Sequence, residues 1–291
     1  LNELSYPARL AGLNYSIKEG YEGIYVDVSG YKESSLRLYE LMLEHMTDFK
    51  ITQSQFEAIK DKIVRDYENL ALSDAYMQTR ELAPDLFYNI KYTWKQVLPI
   101  AKGATFDEIK SYESNLFTRT YLEAMVYGDY VEEDAKKVLS VFKSKTRTEG
   151  ISKEDAFELS YLNMSKPESV QYVDKLLVNN SCFFRMYEIG KDSPKTRALA
   201  ALISKAVEQP FYTEMRTNQQ LGYIVGSYPM NYDETYYLNF LIQSGDYPAD
   251  DLNSRANTFI SSTPKIVEEL TDETFQQLID SAIERLERKP M

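Results

Sequence analysis

This chain is short of the residues on which most catalytic chemistry relies. It has one histidine, His45, in the run Leu43-Glu-His-Met46, and one cysteine, Cys182. Zinc needs clustered His, Cys or acidic ligands. Neither His-x-x-Glu-His nor His-Glu-x-x-His occurs, so the chain itself is expected to hold no metal and no other cofactor. A Ser/His/Asp triad would have to run through His45, and nothing in the sequence supports one. A single cysteine excludes an internal disulfide and fixes no compartment. Its neighbours Phe183 and Phe184 predict a buried, inert thiol. No glycine-rich phosphate loop is present, and Gly222 alone is no fingerprint. The net charge is −12 and the basic residues form no long cluster. A binder of phosphate backbone needs a basic face, so nucleic acid is not an expected partner. No apolar run approaches the length of a membrane span, and no signal peptide opens the chain. The expectation is a soluble protein, cytoplasmic or periplasmic, with the compartment itself left open.

What is present reads as α+β. The 291 residues suffice for two domains. Residues 1–11 read as a short helix with Leu4, Ala8 and Ala11 on one face, and Leu13 to Ile17 as a strand. Lys18 to Tyr21 reads as a turn with Gly20 free to take positive φ. Ile24, Val26 and Val28 alternate with polar or amphipathic residues, as in a strand with one buried face. Leu36, Tyr39, Leu43 and Met46 recur at helical spacing. Thr52 caps a longer helix whose apolar face is Phe56, Ile59, Ile63, Tyr67 and Leu70. More helix is expected through Phe87, with an interruption at Pro99. Thr105-Phe-Asp-Glu108 is a capping box. Leu122 to Tyr127 reads as a strand, and Ala135, Val138, Leu139 and Phe142 stripe a helix. Residues 151–167 are the expected linker, inside a polar stretch with Gly150 and Pro167 at its ends. Strands are then expected at Gln171 to Leu177 and Cys182 to Ile189. Ser193-Pro194 opens a helix with Leu199, Leu202, Ile203 and Ala206 on its buried face. Leu238, Phe240 and Ile242 alternate in a later strand. Helices start at Pro248 and after Thr271.

The second part echoes the first. Leu10-Ala-Gly12-Leu-Asn-Tyr15 lines up with Gln220-Leu-Gly222-Tyr-Ile-Val225, and Val28-Ser-Gly30 with Gln243-Ser-Gly245. Thr52, Phe56 and Ile59 line up with Thr271, Phe275 and Leu278. Two copies of one unit, 1–150 and 168–291, are the simplest reading. The first copy lacks elements that precede the echo in the second, and the second stops early, so a chain cut from a longer protein is expected.

One stretch carries chemistry: Arg216-Thr-Asn-Gln-Gln-Leu-Gly-Tyr-Ile-Val-Gly-Ser227. A helical run from Pro210 to Gln219 is expected to end there, with a strand from Leu221. Arg216 would sit in the last helical turn and Tyr223 at the strand start, where a guanidinium and a phenol converge on one carbonyl oxygen. On the residues alone the better reading is the structural one, with Arg216 pairing with a helix-end carbonyl and Tyr223 packing in the sheet. The motif Arg-Thr-x-x-Gln-Leu-Gly-Tyr resembles that of the C-terminal half of the long-chain M16 zinc peptidases, the insulysin and pitrilysin family. The resemblance runs from Leu1-Asn-Glu-Leu-Ser-Tyr-Pro-Ala-Arg9 to the end.

The resemblance implies two homologous M16-type domains, each an antiparallel-rich sheet with helices packed on one face. Residues 1–150 would be most of the third domain and 168–291 the front of the fourth. It implies the inactive, substrate-binding half of a zinc endopeptidase that degrades peptides in an enclosed chamber, with zinc held by the N-terminal catalytic half. In the helix matching that half's later glutamate ligand, Lys62-Ile-Val-Arg-Asp-Tyr-Glu-Asn69, Asp66 stands near the ligand position and Glu68 is out of register. Arg216 and Tyr223 are implied to bind the substrate backbone and steady the tetrahedral intermediate. A non-catalytic structural or interaction protein with the same fold is the alternative.

Overall fold

The computed structural model describes residues 2–20, 22–83, 87–88, 92–161, 169–232 and 234–287. Packing divides the chain into two units, residues 1–65 with 95–160 and residues 66–94 with 161–291.

The first unit opens with helix α1 (Asn2–Leu10) and an antiparallel hairpin of β1 (Asn14–Gly20) and β2 (Gly23–Ser29). The pairing runs to Gly20↔Gly23, so Lys18 to Gly20 belong to β1, not to a turn. Positive φ falls on Gly23 (154°) instead of Gly20, and Tyr21 lies outside the described residues. Helix α2 (Lys32–Thr47) buries Leu38 and Met42 against Ala8 and Leu13, with Leu4, Val26 and Val28 partly buried around them. Helix α3 (Gln53–Ala71), which continues into the second unit, is capped as predicted. The Gln55 N–H bonds Thr52 Oγ1, and Gln55 Oε1 accepts from the Thr52 N–H. Phe56 is buried, but Ile59 and Ile63 are exposed. Helix α5 (Trp94–Gly103) continues through Pro99. The capping box of α6 (Phe106–Asn115) forms at Thr105 and Glu108. Helix α7 (Glu132–Thr146) is tied to α2 by Lys32–Asp134 (2.7 Å), Lys145–Glu40 (3.3 Å) and Lys145–Glu44 (2.5 Å).

Leu122 to Tyr127 is not a strand. The only pairing nearby among the described residues is a two-residue parallel bridge of β3 (Arg119–Thr120) and β4 (Glu149–Gly150). Met125 and Tyr127 are 88% and 87% exposed. A strand persists only where a neighbour takes its backbone groups, and none does here. Gln171 to Leu177 fails for the same reason, with Val173 and Leu177 in solvent. Residues 162–167 of the expected linker lie outside the described set, as do Pro84 to Leu86 of the expected helical run to Phe87.

The second unit holds the larger core. Strands β5 (Ser181–Lys191), β6 (Ile224–Tyr232) and β7 (Thr235–Ser244) form an antiparallel sheet in the order β5-β7-β6. Alternation along β7 sends Leu238, Phe240 and Ile242 to one face. There they meet Val207 and Phe211 of α8 (Pro194–Tyr212) and Leu252, Ala256 and Phe259 of α9 (Ala249–Glu268). The buried residues of α8 are Ala200, Ser204, Ala206, Val207 and Phe211, with Ile203 packed partly buried on the same core. Ala206 and Ile203 of the predicted face therefore meet the core, whereas Leu199 is exposed. From the other face of β7, Gln243 Oε1 accepts the Tyr76 N–H of α4 (Ala75–Leu82) at 2.8 Å. Cys182, opposite Gln243 on β5, is half-buried, and burial pushes its thiol up to about 11. Helix α10 (Asp272–Glu287) is the last described element, with Thr271 Oγ1 accepting the Thr274 N–H.

Candidate functional site

Between α8 and β6 the backbone leaves regular geometry. Residues Thr213–Asn218 wind as a π-helical turn. The Gln219 N–H reaches Glu214 O at 3.0 Å and the Leu221 N–H reaches Met215 O at 2.9 Å. π-Turns are rare and concentrate at functional sites. Arg216 lies in the last turn of this segment, as expected, and Tyr223 immediately precedes β6, which starts at Ile224, not at Leu221.

Three residues set the path between the two side chains. Gln220 takes a left-handed conformation (φ 51°), one of two non-glycine positions with positive φ among the described residues. This costs a non-glycine residue about 1–2 kcal/mol. Leu221 turns inward and is fully buried against Met215 and Phe211 in the core of the unit. Gly222 then presses on β7 so closely that a Cβ there would stand 1.8 Å from the Gln243 carbonyl oxygen. Glycine is required because backbone meets backbone.

The path delivers Tyr223 to solvent, 82% exposed, beside a half-buried Arg216. The Arg216 guanidinium carbon lies 5.3 Å from the Tyr223 ring centroid, a cation–π distance. The structure thus brings the two predicted residues together, the cation against the ring face. With the described residues the Arg216 guanidinium makes no hydrogen bond or ion pair. Its donors are open to an added acceptor.

A polar network flanks the loop, and the sequence reading missed it. Glu214 accepts from Asn218 Nδ2 and from Gln219 Nε2, each at 2.8 Å. These bonds hold its carboxyl below the usual range. Gln219 Oε1 accepts from Arg255 Nη1 at 3.1 Å, and Arg255 Nε donates to Asp251 Oδ1 at 3.0 Å. The spacing of five between Glu214 and Gln219 is not a neighbour spacing on an α-helix; only the π-turn makes it one. Both residues also line a groove of about 600 Å³ with Pro210, Met215 and Phe259.

No group of three or more His, Cys, Asp or Glu among the described residues is placed to hold a metal ion. His45 is exposed in the last turn of α2, and Asp66 and Glu68 are exposed on α3. One imidazole and dispersed carboxylates do not fit the donor set of a zinc centre. No described helix is long and apolar enough to cross a membrane.

Residues 1–99 match the family model described as the middle or third domain of peptidase M16. Residues 202–291 match the model for the C-terminal lobe domain 4 of the PQQ synthase PqqF-like proteins. The insulin-degrading enzyme of Homo sapiens is 26% identical over 294 residues, which cover 99% of this chain and 29% of that protein. The A-factor-processing enzyme of Saccharomyces cerevisiae is 24% identical over 282 residues, covering 95% of this chain and 27% of that protein. This chain therefore spans less than a third of the length of either relative. Among solved structures, pitrilysin superposes on the whole chain with a TM-score of 0.83 at 20% identity, over 31% of its own length. The periplasmic protease PqqL from Escherichia coli superposes on 97% of the chain with a TM-score of 0.59 at 11% identity, over 32% of its own length. By sequence and by fold, this chain matches the M16 peptidase family, in its middle and C-terminal-lobe domains.

Proposed function

We propose that this chain is the substrate-binding half of a zinc-dependent endopeptidase that degrades peptides in an enclosed chamber, and that Arg216 and Tyr223 contribute to an active site whose metal lies in the other half. In this reading residues 1–150 form most of the third domain and 168–291 the front of the fourth, joined by 151–167. The partners are the N-terminal catalytic half of the same protein and its peptide substrates. The donor set of this chain does not fit zinc, so no step is assigned to metal here.

The carrying observation is the Arg216–Tyr223 pair itself. A cation with no hydrogen bond or ion pair to the described residues lies over an exposed phenol ring, and the backbone path between the two is fixed by Leu221 and Gly222. A fixed guanidinium and phenol act on a carbonyl oxygen chiefly as it gains negative charge. One donor of this kind is worth about 3 kcal/mol, or about 10²-fold in kcat. Replacing Tyr223 with Phe in the complete enzyme keeps the ring and removes only the hydroxyl. It should lower kcat about 10²-fold with zinc content unchanged, and Arg216→Ala should do the same. Arg216→Lys should rescue only in part, because an ammonium lacks the planar fork. Wild-type turnover in these variants would instead favour a structural or interaction role for the same fold.

A further inference from the structure

We propose that Glu214, Gln219 and Arg255 form a positioning relay that locks the loop between Arg216 and Tyr223 before substrate arrives, an inference that rests on the reading of that pair given above. The relay is built around one primary amide. Gln219 donates through Nε2 to Glu214 Oε1 at 2.8 Å and accepts through Oε1 from Arg255 Nη1 at 3.1 Å. An ionised carboxylate only accepts and a guanidinium only donates, so a single orientation of the amide satisfies both neighbours. Each end is itself fixed. Glu214 also accepts from Asn218, and its backbone carbonyl takes the Gln219 N–H. Arg255 is held on α9 by Asp251 at 3.0 Å and by the Tyr247 ring, 4.9 Å from the guanidinium carbon.

Position in the chain gives the relay its effect. Gln219 directly precedes Gln220, whose left-handed backbone is unfavourable for a side-chain-bearing residue. Such a conformation persists only where the surroundings over-determine it. The relay clamps the side before Gln220; buried Leu221 and tightly seated Gly222 clamp the side after. Arg216 lies three residues before the clamp and Tyr223 one after it. Their separation is therefore set by the fold and not by the substrate, which is what an electrostatic site needs to avoid reorganising during reaction.

The test uses Gln219→Met in the complete enzyme, a substitution that keeps the side-chain length and removes both amide bonds. We expect kcat to fall about tenfold with KM changed less than about threefold, since a small misplacement of a catalytic pair has effects of this order. Amide exchange at Leu221 should accelerate about tenfold while Phe240, in the middle of β7, keeps its protection. In the double variant Gln219→Met/Tyr223→Phe the two losses should combine to clearly less than their product, because the relay acts partly through the Tyr223 hydroxyl, which is already gone, and partly through Arg216. Glu214→Gln, which turns one acceptor into a donor, should show the same pattern more weakly and replaces Gln219→Met if that variant does not fold. Wild-type kcat in the relay variants beside an impaired Tyr223→Phe overturns the inference and leaves the reading of the pair intact. Losses that multiply in the double variant mark a merely structural role and also overturn it. Wild-type turnover in Tyr223→Phe overturns the reading of the pair, and the relay with it.

Discussion

The hairpin β1–β2 and the hairpin β6–β7 are entered by loops that echo one another in sequence, yet only the second carries the Arg216–Tyr223 pair. At the position of exposed Tyr223 the first loop has Leu13, which is buried, and at the position of Arg216 it has Tyr6. The positive φ also moves. In the first loop Gly12 takes it (φ 70°), where it costs nothing; in the second it falls on Gln220 (φ 51°). The second loop spends its glycine on the close approach of Gly222 to the Gln243 carbonyl and leaves the unfavourable backbone to a glutamine. Of these two loops, only the one with the candidate site sets a side-chain-bearing residue at positive φ.

The two sheets differ in the same direction. Ile24, Val26 and Val28 alternate as Leu238, Phe240 and Ile242 do. Even so, Ile24 is 46% exposed while Phe240 is 1% exposed. A third strand, α8 and α9 cover the second pattern, whereas α1 and α2 cover the first only in part. The largest expected effect tests this contrast. Phe240→Ala should destabilise the second unit by about 3–5 kcal/mol in urea unfolding, and Ile24→Ala should cost less than about 1 kcal/mol. Equal losses would mean that the hairpin of the first unit is buried as deeply as that of the second.

Glycine exchanges come next. Gly222→Ala drives a methyl into a carbonyl oxygen and should cost about 1–3 kcal/mol, as overpacking does. It should also disturb turnover, because Tyr223 is the next residue. Gln220→Gly removes the left-handed penalty and should stabilise by about 0.5–1 kcal/mol. Gly12→Ala should destabilise, because a residue with a side chain is strained at φ 70° and its Cβ would stand 3.3 Å from the Tyr31 ring. If Gln220→Gly proves destabilising, the strain attributed to this loop is not there.

The smallest effect concerns Cys182. Burial is the main cause that raises its thiol from 9.0 to about 11, partly offset by a bond from Thr79. At pH 8 iodoacetamide should therefore label it slowly in the folded chain and quickly after denaturation. A folded pKa above the unfolded one means that the stability it contributes is full below pH 9 and is lost between pH 9 and about 11. Rapid labelling of the native chain at pH 8 would contradict this.

Much of this was legible in the sequence because it is local. The caps at Thr52, Thr105, Ser193 and Thr271 need only their own side chains and the next turn, and all four form. The proximity of Arg216 and Tyr223 followed from a motif seven residues apart at a helix–strand junction. What was not legible depends on partners distant in the chain. Leu122–Tyr127 and Gln171–Leu177 have strand composition, but no neighbouring strand among the described residues takes their ladders. Pro99 reads as a break, yet it sits inside a helix that continues to Gly103. The relay was invisible because it needs a π-turn to join Glu214 to Gln219, and α9 to bring Arg255 from 36 residues away.

The most direct test of the central claim uses a phosphinic peptide, which imitates the tetrahedral carbonyl adduct, on the complete enzyme and its Arg216 and Tyr223 variants. If the pair stabilises developing charge on oxygen, the inhibition constant should rise in proportion to the fall in kcat/KM, about 10²-fold for Tyr223→Phe, with zinc content constant. An inhibition constant that stays at its wild-type value while kcat/KM falls would contradict the account: the pair would then shape the chamber or its closure and not the charge at the reacting carbonyl.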